Sequence, residues 1–266
     1  MALKGNKKQK IILESDIMED PNNDIFMAAF KGDIEAYVKL VENEDDKNPA
    51  DGEGFTPLYV AAEKGHLVLF EVISKNCRDK NPGTKVADTP LHIAARNGHY
   101  DICKLIVDEV EDKNPKNQDG VTPLFIAANI GRFEIFQLIM QNVLDKNPAT
   151  KKGLTPLHAA ARLGQFKICQ LIIESVKEKN PSAPHNGWTP LHYAAKYGHL
   201  KICKLIRSNV KNKNPEDLNG LTPHSLAIQH VNELFEINSD PEKPEDVPGP
   251  SGEQRRTTRK RAAEDC

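Results

Sequence analysis

Apolar and small residues recur along the chain as paired short bursts separated by polar turns. Within one period Leu58, Ala61 and Ala62 fall at the i, i+3, i+4 spacing of a single helix face, and a second burst runs from Leu67 to Ile73. Thr56 stands where its hydroxyl caps the first helix, and Pro57 occupies the first helical position, where a missing N–H costs nothing. Gly65 falls where the chain must leave the helix with positive φ. The pattern predicts two helices of about eight to ten residues per period, too short to bury their faces alone. Stacked on copies of themselves, they make a solenoid.

Two independent markers keep the same phase. Thr-Pro-Leu begins at Thr56, Thr89, Thr122, Thr155 and Thr189, and Thr-Pro-His begins at Thr222. The interval is 33 residues throughout, except for 34 between Thr155 and Thr189. Lys-Asn-Pro begins at Lys47, Lys80, Lys113, Lys146, Lys179 and Lys213, with the same one-residue slip. The two slips enclose Pro181 to Thr189, so one residue has been added in the loop PSAPHNGW.

The segments TPLHIAARNGH (Thr89 to His99) and TPLHYAAKYGH (Thr189 to His199) resemble the ankyrin repeat, over about Asn23 to Ile237. The resemblance implies an all-α solenoid of stacked antiparallel helix pairs with hairpin loops projecting to one side. Lys-Asn-Pro replaces the family's usual loop sequence, Ala87 stands at the usual Gly position, and Tyr59 and Phe125 replace the motif His. A local distortion is expected at Ala87. The first unit has Asn-Asp-Ile-Phe for Thr-Pro-Leu-His, and Lys39 gives it a polar outward face or a slipped register. The last, Thr222 to Ile237, has Val231 where Gly belongs. Seven units are expected across residues 23–237, the first and last being degenerate caps that shield the core. Tails expected to be disordered lie at 1–22 and 238–266.

Composition narrows the setting. Of the 266 residues 38% are hydrophobic, enough for an ordinary core, and the net charge of −2 argues against a surface built to embrace nucleic acid. No signal-peptide core or apolar run of membrane-spanning length is present, and five Cys without paired spacing do not suggest a disulfide framework. A soluble protein of the cytoplasm, the nucleus or both is expected. The second tail opens acidic and Pro-rich, then carries Arg255, Arg256, Arg259, Lys260 and Arg261. That cluster reads equally as a nuclear-import signal or a solvated tail, and an alternative role as a nuclear or nucleic-acid-linked regulator would work through it.

Candidate chemistry dissolves into the repeat. Cys103, Cys169 and Cys203 share a column with Phe70 and Phe136, and Cys77 shares one with Val110, Val143, Val176 and Val210. Columns that alternate Cys with Phe or Val are packing columns. His92, His158 and His192 belong to the Thr-Pro-Leu-His motif, where the family implies hydrogen bonds between repeats; His66, His99 and His199 follow the helix-ending Gly. Nucleotide-binding, zinc-protease and serine-hydrolase motifs are missing, and neither tail is long enough for a catalytic domain. No catalytic residue, metal ligand or cofactor is expected, and no small-molecule substrate.

What remains is surface. The residue before the Thr and the one before the Gly place Val121, Ile130, Leu154, Leu163, Trp188 and Tyr197 on the face that the family uses as a concave binding surface. Lys151, Lys152, Arg162 and Lys196 flank them. A row of apolar residues beside cations marks a protein partner of unknown identity. The other reading is that the residue before the Thr packs against the next hairpin. Leu171 counts among the core residues, no membrane contact is expected, and the protein alone should be monomeric.

Overall fold

The computed structural model describes residues 23–228. Its helices are α1 (Asn23–Lys31), α2 (Ile34–Val41), α3 (Pro57–Lys64), α4 (Leu67–Asn76), α5 (Pro90–Asn97), α6 (Tyr100–Glu109), α7 (Pro123–Ile130), α8 (Phe133–Gln141), α9 (Pro156–Arg162), α10 (Phe166–Ser175), α11 (Pro190–Lys196) and α12 (Leu200–Asn209). Residues 223–228 begin a further helix, and no strand occurs among the described residues. The chain divides into two compact units, one ending at Gln118 and one beginning at Asp119. In the first, α3 packs against α1 and α5, and α4 against α2 and α6. In the second, α9 packs against α7 and α11, and α10 against α8 and α12.

Each first helix is delimited by its own sequence. The Thr56 hydroxyl accepts the Tyr59 N–H, Pro57 opens the helix, and Gly65 closes it at φ +79°. The paired Ala of each motif (Ala61 and Ala62, Ala94 and Ala95, Ala194 and Ala195) have no exposed surface, which lets neighbouring first helices approach closely. Gly65 is held twice over. Besides its left-handed backbone, the ring of His99 from the next repeat lies where a Cβ would stand.

Asp-Lys-Asn-Pro closes the space between one repeat and the next. Asp46, Asp79, Asp112 and Asp145 each accept the N–H of the Asn two residues on. That Asn then accepts the N–H of the second residue of the following first helix: Asn48 from Leu58 at 2.9 Å, Asn81 from Leu91 at 2.9 Å, Asn147 from Leu157 at 3.0 Å. The Lys ammonium reaches back to the last-turn carbonyls of the preceding helix, Lys113 to Val107 at 2.7 Å and Lys146 to Met140 at 3.3 Å. One tetrapeptide thus satisfies orphan groups at both helix ends.

The hairpins explain the slip. Thr150 N–H donates to Leu154 O at 2.9 Å, whereas Ala183 N–H donates to Trp188 O at 2.8 Å, so the added residue lies within Pro184 to Gly187. Successive hairpins are bonded tip to tip: Lys85 N–H to Glu53 O, Gln118 to Val86, Lys151 to Asp119 and Leu218 to Asn186. At Lys152 the corresponding donor would be Pro184, which has none. His185 Nδ1 lies 3.3 Å from the Lys152 carbonyl instead.

Two expectations need adjustment. Leu171 is only half-buried, and the filled positions of α10 are Ile168, Cys169, Ile172 and Ile173. The distortion expected at Ala87 does not open the turn. Ala87 adopts φ +59°, the left-handed conformation taken by Gly54, Gly120 and Gly153 at this position, and its N–H still donates to Thr84 O at 2.7 Å. Lys39 is exposed and pairs with Glu35 at 2.8 Å, so the first unit has a polar outward face in the ordinary register. Residues 1–22 and 229–266, with Val231, Arg255, Arg256, Arg259, Lys260 and Arg261, lie outside the described residues.

Candidate functional site

The imidazoles work as struts. Thr155 N–H donates to Nδ1 of His158 at 3.1 Å, which leaves the ring proton on Nε2, 3.2 Å from the Trp188 carbonyl of the following repeat. His192 is held by Thr189 in the same way and faces the Leu221 carbonyl at 3.2 Å. Burial lowers the His158 pKa to about 4 and lowers that of His192 as well. The second set donates backward: Nε2 of His66 to Phe30 O at 3.0 Å, of His99 to Glu63 O at 3.1 Å, and of His199 to Arg162 O at 3.1 Å.

Three of the cysteines are core, and Cys77 is half-buried at the end of α4. Cys103, Cys169 and Cys203 are fully buried, as are Phe70 and Phe136 of their column. Burial pushes the thiols of Cys103 and Cys169 up to about 12, so neither supplies a thiolate at neutral pH. Among the described residues no group of three or more His, Cys, Asp or Glu could hold a metal ion.

The two columns of the anticipated surface differ in burial. Before the glycine, Ile130, Leu163 and Tyr197 are 41%, 43% and 48% exposed. Ile130 is the last residue of α7, and Leu163 and Tyr197 stand one residue past the ends of α9 and α11, where the chain turns toward the second helix. Before the threonine, Val121, Leu154 and Trp188 are half-buried. Trp188 donates its indole N–H to Asp217 Oδ2 at 2.8 Å, stacks on His192 with a 19° interplanar angle, and meets Tyr193 edge-on at 5.0 Å. Lys151 and Lys152 are exposed at a hairpin tip. Arg162 and Lys196 are half-buried, and Arg162 donates to Asn129 Oδ1 at 3.0 Å.

Tyr193 belongs to this surface and was not anticipated from the sequence. It is half-buried, 6.0 Å from the His158 ring, and burial raises its hydroxyl pKa. The signal was available: its position in Thr-Pro-Leu-His-x-Ala-Ala otherwise holds Val60, Ile93, Ile126 or Ala159.

Helix pairs that repeat every 33 or 34 residues, those beginning at Thr56 to Thr189 opened by Thr-Pro and closed by Gly, define an all-α repeat solenoid. A family model described as ankyrin repeats (three copies) matches residues 25–117, 105–183 and 175–242, and the chain belongs to the ankyrin-repeat family. A comparison with curated proteins returns no match. Ankyrin repeats are generally protein–protein interaction modules, typically non-catalytic. No helix among the described residues is long and apolar enough to cross a membrane.

Proposed function

We propose that this protein is a non-catalytic adaptor, scaffold or inhibitor that binds another protein through one face of its second unit. The observation that carries this reading is the exposed column Ile130, Leu163 and Tyr197, three large apolar or amphipathic side chains at one repeat position. Side chains of this kind, when desolvated by a partner, supply most of the binding energy of an interface. In this reading Lys151, Lys152, Arg162 and Lys196 form its polar surround, and Trp188, held by Asp217 and against Tyr193, adds aromatic surface.

The test is capture from native extract with cross-linking and mass spectrometry, comparing the parent chain with Leu163→Ala and Tyr197→Ala. Partner peptides cross-linked beside Lys151, Lys152 or Lys196 and lost in both variants support the reading. Capture that both variants leave unchanged would move the binding face elsewhere.

A further inference from the structure

Each corner between a first and a second helix of the second unit carries two large apolar side chains, one on either side of the turn. The pairs are Ile130 and Phe133, Leu163 and Phe166, and Tyr197 and Leu200. Phe166 and Leu200 are each 38% exposed, and Phe133 is half-buried. In the first unit the position before the glycine holds Lys31, Lys64 or Asn97, so each of its corners has only one of the pair.

The three corners form one edge. Each closes its own turn: Phe133 N–H donates to Gly131 O at 3.0 Å, Phe166 to Gly164 O at 2.9 Å, and Leu200 to Gly198 O at 3.0 Å. Neighbouring corners also touch. The Gln165 side chain lies against Gly131 and the His199 ring against Gly164, where a Cβ would stand. Arg162 reaches back to Asn129 Oδ1 at 3.0 Å, and the Lys167 ammonium stands over the Phe133 ring, 5.6 Å from its centre. The edge is basic as well as apolar. Residues 129–134, 162–167 and 196–201 hold five Lys and Arg against one carboxylate, Glu134. The corresponding residues of the first unit, 30–35, 63–68 and 96–101, hold three against four.

Spacing selects what fits there. α9 packs between α7 and α11, and helices packed side by side lie about 8–10 Å apart, so the apolar pairs recur at that interval. Residues seven apart in an α-helix share a face and lie about 10.5 Å apart along its axis. In an extended strand the residues of one face recur at about 6.6 Å and about 13 Å, and neither interval meets the next corner. We infer that this edge takes an acidic amphipathic helix of the partner protein, laid along the stack. Each heptad sets two apolar residues on one corner, so three corners take about 18 residues of helix. Its Asp and Glu flanks meet Arg162, Lys167 and Lys201. The inference rests on the binding role proposed for Ile130, Leu163 and Tyr197, and adds the second apolar row and the chemistry of the partner.

The test uses the full chain and a fluorescent peptide of about 21 residues, with Leu at the first and fourth positions of three heptads and Glu flanking them. Its controls are a peptide of the same composition with Leu at alternate positions, the heptad peptide with Lys for Glu, and vesicles of phosphatidylserine and phosphatidylcholine. Fluorescence anisotropy should show binding of the acidic heptad peptide alone, weakening as salt rises from about 50 to about 300 mM. Leu163→Ala with Phe166→Ala should weaken it by about tenfold or more, and Lys167→Gln with Lys201→Gln should weaken it and flatten its salt dependence. All four side chains are exposed, and both variants should keep the parent's melting curve. No binding of the acidic peptide, equal binding of a control peptide, retention on the vesicles alone, or binding that both variants leave unchanged would overturn the inference. Capture from native extract separates it from the reading it rests on. Partner lost in Leu163→Ala and Tyr197→Ala but fully retained in Phe166→Ala and in Lys167→Gln with Lys201→Gln would keep the binding column and overturn the acidic helix alone.

Discussion

The Trp188 indole N–H lies 2.8 Å from a carboxylate oxygen of Asp217, a residue 29 positions further on in the hairpin of the next repeat. The other oxygen of Asp217 accepts the N–H groups of Asn219 and Leu221, both at 2.8 Å. One buried carboxylate therefore shapes its own hairpin and clasps the preceding repeat. Trp188 is in part a structural residue, which changes how a binding experiment on this surface must be designed.

Asp217→Ala removes the acceptor of three donors and should lower stability by about 1–3 kcal/mol in a denaturant titration. Trp188→Phe, which keeps a ring but loses the N–H, should lower it by less. Equal stability of Asp217→Ala and the parent chain would show that water replaces the carboxylate without cost.

Tyr197→Ala should lower the melting temperature little, because nearly half of the side chain faces solvent. Ile172→Ala should cost about 2–5 kcal/mol, since its side chain is fully enclosed and a cavity remains. Calorimetry of both variants beside partner capture separates binding from folding: only Tyr197→Ala should lose partner while keeping the parent's melting curve.

The motif histidines set a pH dependence with a definite sign. His158 titrates near 4 when folded and near the usual 6.5 when unfolded, so the unfolded chain binds more protons between these values. The contribution of neutral His158 to stability is complete above about pH 6.5. It falls as pH drops through 6.5 toward 4, by up to about 1.4 kcal/mol per pH unit, and levels off below. His192 acts in the same direction. The stability of His158→Gln should therefore fall less steeply than the parent's between pH 6.5 and 4.5; parallel curves would mean that folded and unfolded chains bind the His158 proton equally.

Ala87 holds a left-handed backbone at a cost of roughly 1–2 kcal/mol, whereas Gly accepts it freely. Set against the larger chain entropy that Gly loses on folding, Ala87→Gly should stabilise by about 0.5–1 kcal/mol. An unchanged or lower denaturation midpoint would show that the Ala methyl group contributes contacts worth as much as the strain.

Much of this was legible in the sequence because a repeat turns a single chain into its own alignment. Cys169 could be placed in the core from Phe70 and Phe136, which need the same enclosed space. Position in the repeat fixes which side of a helix a residue occupies, but not how far its neighbours cover it. Leu154 and Leu163 looked alike from that column reading, yet only Leu163 projects past the end of its helix. The Trp188–Asp217 clasp was hidden for a different reason: Asp217 repeats the Asp51 of its column and its hairpin bonds, and only Trp188 has no counterpart in its own. Lys-Asn-Pro served only as a marker of period until the geometry showed which orphan groups each side chain meets.

Pro184 has a consequence for where the stack will first come apart. The hairpins on either side of it are laced to their neighbours by an amide that must break before the tips separate. Between the hairpins of Lys152 and Pro184 that rung is missing, and a ring nitrogen at 3.3 Å takes its place. The tips are joined there by side chains alone, His185 and the Pro184 ring against Gly153. This seam is therefore where a protease should cut first among these tips, and where a foreign peptide could be spliced in with the least disturbance to the repeats on either side.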